Sequence, residues 1–316
     1  MKALIPTNTA PATRDYSDVM RMLLESKRSM ATRKGYGRDI EHFFAAMAPG
    51  RPFPGVVNEY LQLDRSEAVI VLLQYRADLQ HKGLAPNTIN RKLAAVKSLV
   101  AFAHRIGQCS WKLDDVQGEK VEAYRDVSGI SVAQVAAMLN IPDRGTVKGK
   151  RDYAAVRLLW ENALRRNEVV ACDVGDFDPE ARTLAITGKG RVQKEFITVS
   201  DKTAQALIEW LQARGGVDPC EPLFISLSNY QRGHRMTGTA LYNLIDTLAK
   251  GAGIPKQMSP HRMRHSAITA ALEALNGDVT KVQQLSRHKS IATVMIYADR
   301  VKNEQGDVTN LLSALA

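Results

Sequence analysis

The stretch TLAITGKGRVQKEFITV, residues 183–199, decides the fold class of this chain. TLAIT (183–187) and KEFITV (194–199) alternate at period two, and the GKGRVQ between them is a glycine-bearing turn. The pair predicts an antiparallel hairpin, and DFDPEAR just before it (176–182) predicts a third, short strand. On both sides the periodicity becomes helical. Downstream, helices are predicted at 201–214, 237–252, 260–274 and 278–286. Upstream, Ser131 caps SVAQVAAMLN, and YAAVRLLWENA (153–163) has the composition of a buried helix. The fold class is therefore mainly α with one small antiparallel sheet.

The turn of the hairpin holds Lys189 between Gly188 and Gly190. Working outward, ALRRNEV (163–169) offers Arg165 and Glu168, and HRMRHS (261–266) offers His261, Arg264 and His265. LSRHKSIATVMIYAD (285–299) adds His288 and Tyr297. Imidazoles, guanidiniums and a phenol are the groups a phosphodiester transesterification needs. Cations hold the phosphate, an acid protonates the leaving oxygen, and a nucleophile stays attached. Tyrosine, with a reference pKa of about 10, becomes a useful nucleophile when cations stabilise its phenolate and a phosphate is bound in line. Ser259 and Pro260 form a helix start, so His261 and Arg264 share a face near an N-terminus whose dipole and free N–H groups suit a phosphate.

Each residue also has a plainer reading. Arg165 and Glu168 can be a structural ion pair, Lys189 an exposed turn lysine, and Tyr297, among Ile291, Val294 and Ile296, a core aromatic. His261 and His265 have the spacing of a helical zinc pair. Arg262, however, stands where the zinc motif needs Glu, and Arg264 between them opposes a divalent cation, so no metal is expected. His265 reads as a supporting or core histidine with Glu168 as hydrogen-bond partner.

Taken in order, these stretches resemble the tyrosine recombinase (phage integrase) family. The family's first box, Gly-Leu-Arg-x-x-Glu, is matched by Ala163 to Glu168 with Ala for Gly. Its hairpin lysine in a Gly-Lys-Gly turn is matched by Lys189. Its second box, His-x-Leu-Arg-His-Ser/Thr, is matched from His261 to Ser266 with Met263 for Leu. Its last box, Leu-Gly-His…Tyr, is matched by Leu285, His288 and Tyr297, but Ser286 and Arg287 stand where the family usually has only a Gly.

The resemblance spans about 16–300 and implies the site roles. Arg165 and Arg264 grip the two non-bridging oxygens of the scissile phosphate, and Lys189 protonates the leaving 5′ oxygen. His261 assists proton transfer with the nucleophile, and His288 hydrogen-bonds the phosphate. Tyr297 forms a 3′-phosphotyrosyl link, while Glu168 and His265 support. The implied activity is site-specific recombination of double-stranded DNA without metal, ATP or any cofactor. A type IB topoisomerase-like relaxing enzyme shares that chemistry, and a non-cleaving DNA-binding accessory protein would share the fold.

The remaining organisation fits two domains in 316 residues. Residues 1–14 read as a flexible lead-in and 15–110 as an all-α core-type DNA-binding domain. In it, SMATRKGYGRDIEHFFAAM (29–47), SEAVIVLLQYRADLQHKG (66–83) and NTINRKLAAVKSLVAFAHRIG (87–107) are helices, with a turn at 50–54. Arg91, Lys92 and Lys97 occupy polar positions of the last helix. They are either a solvated face or, as the resemblance implies, DNA-backbone contacts. The polar 111–128 reads as a linker and 129–316 as the mixed α+β catalytic domain. From about 305, a short apolar helix carries Leu311, Leu312 and Leu315. It either packs on its own domain or, as the resemblance implies, docks on a neighbouring protomer in a tetramer on two duplexes.

A net charge of +10 suits a polyanionic partner. Cys109, Cys172 and Cys220 are scattered, which fits a reducing cytoplasm. The apolar run AVIVLL (68–73) is far below the roughly 20 residues of a membrane span, and MKALIPTNTAPATRDY forms no secretory core.

Overall fold

The computed structural model describes residues 17–121, 129–188, 193–215, 218–301 and 304–315. The chain divides into two compact units, Met1–Tyr124 and Arg125–Ala316. The expected lead-in (1–14) lies outside the described residues, as does Lys189.

The first unit is helical: α1 (Ser17–Ser26), α2 (Met30–Met47), α3 (Phe53–Gln62), α4 (Arg65–His81) and α5 (Pro86–Arg105). Local signals set the boundaries. Ser29 caps α2 by accepting from the Thr32 N–H. Asp64 and Glu67 close a capping box on α4, and Gly107, at φ +73°, follows the end of α5. Ile40, Phe43, Phe44, Leu72, Tyr75, Leu93, Val96 and Leu99 fill the core. The Phe43 ring meets Phe44, Tyr60 and Tyr75 edge-on at centroid distances of 4.9, 5.2 and 5.0 Å.

Two features differ from expectation. The prolines at 52 and 54 do not merely mark a turn; they begin α3, where a missing N–H leaves no bond unmade. Part of the stretch 111–128, expected to be a linker, belongs to this core. Trp111, Leu113 and Val116 are buried in it, and the Trp111 indole donates to the Leu63 carbonyl at 2.8 Å. Asn90 ties Glu119 through two hydrogen bonds of 2.9 and 2.6 Å. Residues 122–128 lie outside the described residues.

The second unit has the expected mixed architecture. It contains α6 (Val132–Leu139), α7 (Val147–Glu161), α8 (Arg166–Ala171), β1 (Phe177–Asp178), β2 (Thr183–Thr187), β3 (Lys194–Thr198), α9 (Asp201–Arg214), α10 (Gly238–Gly251), α11 (Pro260–Ala274), α12 (Val279–Ser286), α13 (Ala292–Val301) and α14 (Glu304–Leu315). The strands form one antiparallel sheet in the order β1-β2-β3, with Leu184 opposite Ile197 and Ile186 opposite Glu195. Buried β2 presses Leu184 and Ile186 into a core with Leu158, Leu159, Trp210, Phe224 and Met263. Helix α7 packs between α9 and α11.

A second, smaller apolar cluster joins Ala163, Ile268, Leu272, Val282, Val294 and Tyr297, drawn from the end of α7 and from α11, α12 and α13. This cluster fixes the last part of the chain against the two arginine-bearing segments. A Cβ at Gly129 would collide with Ser266, whose hydroxyl accepts from the Ile130 N–H at 2.9 Å. Among the described residues no helix is long and apolar enough to cross a membrane.

Candidate active site

The site begins where α7 stops. The Asn162 N–H still bonds to Leu158, and Ala163 then turns the chain at φ +45°, a left-handed conformation that favours glycine. The turn makes Arg165 the N-cap of α8 and Glu168 its third residue. The Glu168 carboxylate reaches back to accept from the Arg165 N–H at 2.8 Å and from Arg165 Nη1 at 2.6 Å. Glu168 is buried. Burial pushes its carboxyl up, but the Arg165 N–H and the charges of Arg287 and Arg165 together hold it below the usual carboxylate range.

Across from this turn, Ser259 accepts from the Arg262 N–H at 3.2 Å and Pro260 begins α11. His261 is exposed, whereas Arg264 is 1% exposed and His265 is buried. Arg264 donates through Nη1 to the Ala163 carbonyl and through Nη2 to the Ser286 carbonyl, and Nη2 lies 3.3 Å from His288 Nε2. One guanidinium thus joins the turn before Arg165 to the turn before His288. Burial, reinforced by Arg165 and Arg287, pulls Arg264 down to about 9. Burial and the cations Arg264, Arg165 and Arg287 pull His288 down to about 4, so its ring is neutral at neutral pH. Because Arg264 can only donate, His288 Nε2 accepts, which assigns the ring proton to Nδ1.

Tyr297 is 5% exposed and its ring lies in the small apolar cluster. Its hydroxyl is hydrogen-bonded to His265 Nδ1 at 2.5 Å, and its ring stacks on His288 at a centroid distance of 6.3 Å. His261 stands edge-on to His265 at 4.2 Å. His265 was expected to pair with Glu168; instead it meets Tyr297, because both carboxylate oxygens of Glu168 are engaged by Arg165 and Arg287. Arg264, His265, His288 and Tyr297 are therefore brought together, with Arg165 and Glu168 across the Ala163 turn. Lys189 lies outside the described residues, although the strands on either side of it are described.

One participant, Arg287, reads in the sequence only as an interruption of a glycine pattern. It caps α12 in a left-handed conformation (φ +53°), and its buried side chain reaches Glu168 at 3.2 Å. A long cation at a helix end where glycine belongs is the signal that could have found it.

In the first unit, Arg91 is exposed and ion-paired with Asp39. Lys97 is half-buried and donates to the Val116 carbonyl. Lys92 was expected on the polar face but faces inward. It is 8% exposed with Nζ 3.6 Å from Asp39, and burial lowers its pKa. Asp39, itself buried in α2, provides the charge that holds it there. Among the described residues no three His, Cys, Asp or Glu side chains converge as metal ligands. Cys109 and Cys172 are buried free thiols and Cys220 an exposed one; burial pushes Cys172 up to about 12.

Residues 130–304 match the Phage integrase family, and residues 20–107 match the phage integrase N-terminal SAM-like domain. Over 298 residues the chain is 48% identical to a tyrosine recombinase of Synechocystis sp., covering 94% of this chain and 95% of that protein. It is 42% identical over 314 residues to a tyrosine recombinase of Synechococcus elongatus, covering 99% and 98%. The integrase of the Tn1549 transposon, solved with circular intermediate DNA, shares the fold at a TM-score of 0.64 and 18% identity, over 90% of this chain and 95% of that one.

Proposed function

The chain belongs to the phage integrase family, and from that premise we propose that it is a site-specific recombinase that cuts and rejoins double-stranded DNA through a 3′-phosphotyrosyl link at Tyr297. The observation that carries this reading is the meeting of Arg264, His288, His265 and Tyr297 around one point, with Arg165 held by Glu168 beside it. Arg165 and Arg264 grip the two non-bridging oxygens of the scissile phosphate. Their oriented donors stabilise the extra charge of the pentacoordinate transition state. His288 hydrogen-bonds the phosphate by donating from Nε2, which takes the Nε2–H tautomer once the phosphate is bound, because Nδ1 is buried without a partner. Tyr297 attacks phosphorus, the bond to the 5′ oxygen breaks, and Lys189 protonates that oxygen. His261 assists in handling the phenol's proton. A 5′-hydroxyl of a partner duplex then attacks the phosphotyrosine and restores the diester. The ester keeps the bond energy, so no ATP is consumed.

A duplex nicked beside the cleavage position tests the reading, because the short fragment diffuses away and traps the adduct. A covalent complex is the expected result. Retarded but uncut DNA would instead indicate a non-cleaving DNA-binding protein, and efficient relaxation of supercoiled plasmid without exchange a topoisomerase. The transition state is served by guanidiniums, so adduct yield is expected to be undiminished in EDTA. Loss in chelator with recovery on added zinc would overturn that point and return His261 and His265 to the role of metal ligands.

The first unit contributes DNA-backbone contact through Arg91 and Lys97 on α5, while Lys92 braces Asp39. The working location is the cytoplasm, and the working assembly is a tetramer on two duplexes. Helix α14 exposes Val308, Leu311, Leu312 and Leu315, and a helix of this length needs a groove for such side chains. Head-to-tail docking of α14 on a neighbouring protomer closes a ring. Replacing Leu311 and Leu312 by Asp is expected to leave single-site DNA binding intact and to weaken synapsis by roughly tenfold or more, the size of losing two buried anchors. Unchanged synapsis in a gel-shift assay of paired sites would place the helix on its own domain.

A further inference from the structure

We infer that Arg287 is a positioning residue of the transesterification site: it holds Glu168, and through it Arg165, and it aligns the turn that carries His288. This rests on the recombinase reading of the site.

Three of its contacts do the holding. Arg287 Nη1 donates to the Asn162 carbonyl at 3.2 Å and to the Leu285 carbonyl at 2.7 Å, and Nη2 reaches Glu168 Oε2 at 3.2 Å. Arg264 joins the very next pair of carbonyls, Ala163 and Ser286. The turn before Arg165 and the turn before His288 are therefore stapled twice, at consecutive residues, by two buried guanidiniums.

The local backbone gives no reason for arginine here. The backbone at φ +53° favours glycine, and the side chain, 8% exposed, keeps its Nε buried without a partner. Glycine would remove both costs, together with the bonds to Asn162, Leu285 and Glu168. What glycine would also remove is charge. Arg165, Arg264 and Arg287 stand against the single carboxylate of Glu168, and 3 − 1 leaves two net positive charges for an anion. Without Arg287, Glu168 would be balanced by Arg165 alone, and the pull of Arg165 on a phosphate would be largely spent on its neighbour.

Full-length Arg287→Gly and Arg287→Lys, compared with wild type, test this by two readouts. The first is thermal unfolding with and without inorganic phosphate, since an anion bound only by the folded site raises the melting temperature. The second is single-turnover adduct formation on the nicked duplex. The Gly variant is expected to fold, to lose the phosphate-induced rise, and to form adduct at least tenfold more slowly with DNA affinity retained. The Lys variant, which keeps charge but lacks the planar fork, is expected to recover part of the phosphate-induced rise while its adduct formation stays slow. A Gly variant with the wild-type phosphate response and adduct rate would overturn the inference. Should the Gly variant fail to fold, wild-type adduct formation by the Lys variant would overturn it equally. If wild type itself forms no adduct, the recombinase reading fails, and Arg287 stands or falls on the phosphate response alone.

Discussion

Tyr297→Phe is expected to fold, to bind its DNA normally and to form no covalent adduct at all. The ring is held by packing against Ile268, Val282 and Val294, which phenylalanine reproduces. The substitution takes away the hydroxyl and with it the hydrogen bond to His265, at a stability cost of about 1 kcal/mol. A small drop in melting temperature and a complete loss of cleavage would then separate packing from chemistry in one variant. Binding survives because phosphate contacts elsewhere dominate affinity. Adduct persisting at normal yield would move the nucleophile to another tyrosine. Tyr242, whose hydroxyl accepts from Gln257 at 2.8 Å, would be the first to replace.

Features set by near neighbours in the chain are legible from the residues alone. Strand alternation at 183–187 and 194–199, the serine caps at 131 and 259 and the glycine stops at 83 and 107 all act within a few residues, and each stands where periodicity and turn chemistry place it. The arginines and histidines are legible as residue types at telling spacings. Partners remote in sequence are not. Trp111 looks like part of a polar linker because the Leu63 carbonyl that receives its N–H lies 48 residues earlier. Lys92 looks solvent-facing because nothing local reveals that buried Asp39 waits on another helix. Charge logic assigns His265 to Glu168, whereas Arg287 occupies that carboxylate from 119 residues away. The two positions where this chain departs from the glycines of the family pattern, Ala163 and Arg287, are both left-handed. That conformation favours glycine, so at both positions a side chain stands against the backbone preference.

Arg264→Lys is expected to slow cleavage by a hundredfold or more, on the order of 3 kcal/mol, the loss typical of one oriented donor at a developing charge. Lysine loses the planar fork that spans the Ala163 and Ser286 carbonyls while approaching His288. It can satisfy one carbonyl well, and the other is left buried at a cost of about 1–3 kcal/mol, so the melting temperature falls too. Arg165→Lys supplies the contrast. Arg165 is partly exposed and engages Glu168 rather than two buried carbonyls, so its cleavage defect should come with a smaller loss of stability. The two arginine sites also differ in protonation. The burial and the neighbouring cations Arg165 and Arg287 that pull Arg264 down to about 9 would lower a lysine at the same place as well. A lysine so lowered gives up its proton progressively as pH rises. Residual cleavage by Arg264→Lys, measured as the single-turnover adduct rate relative to wild type, should therefore rise as pH is lowered from 8.5 to 6. A relative rate that stays flat across that range would mean that the lysine ammonium has moved out to solvent, and that the buried position of the guanidinium is not maintained by the fold alone.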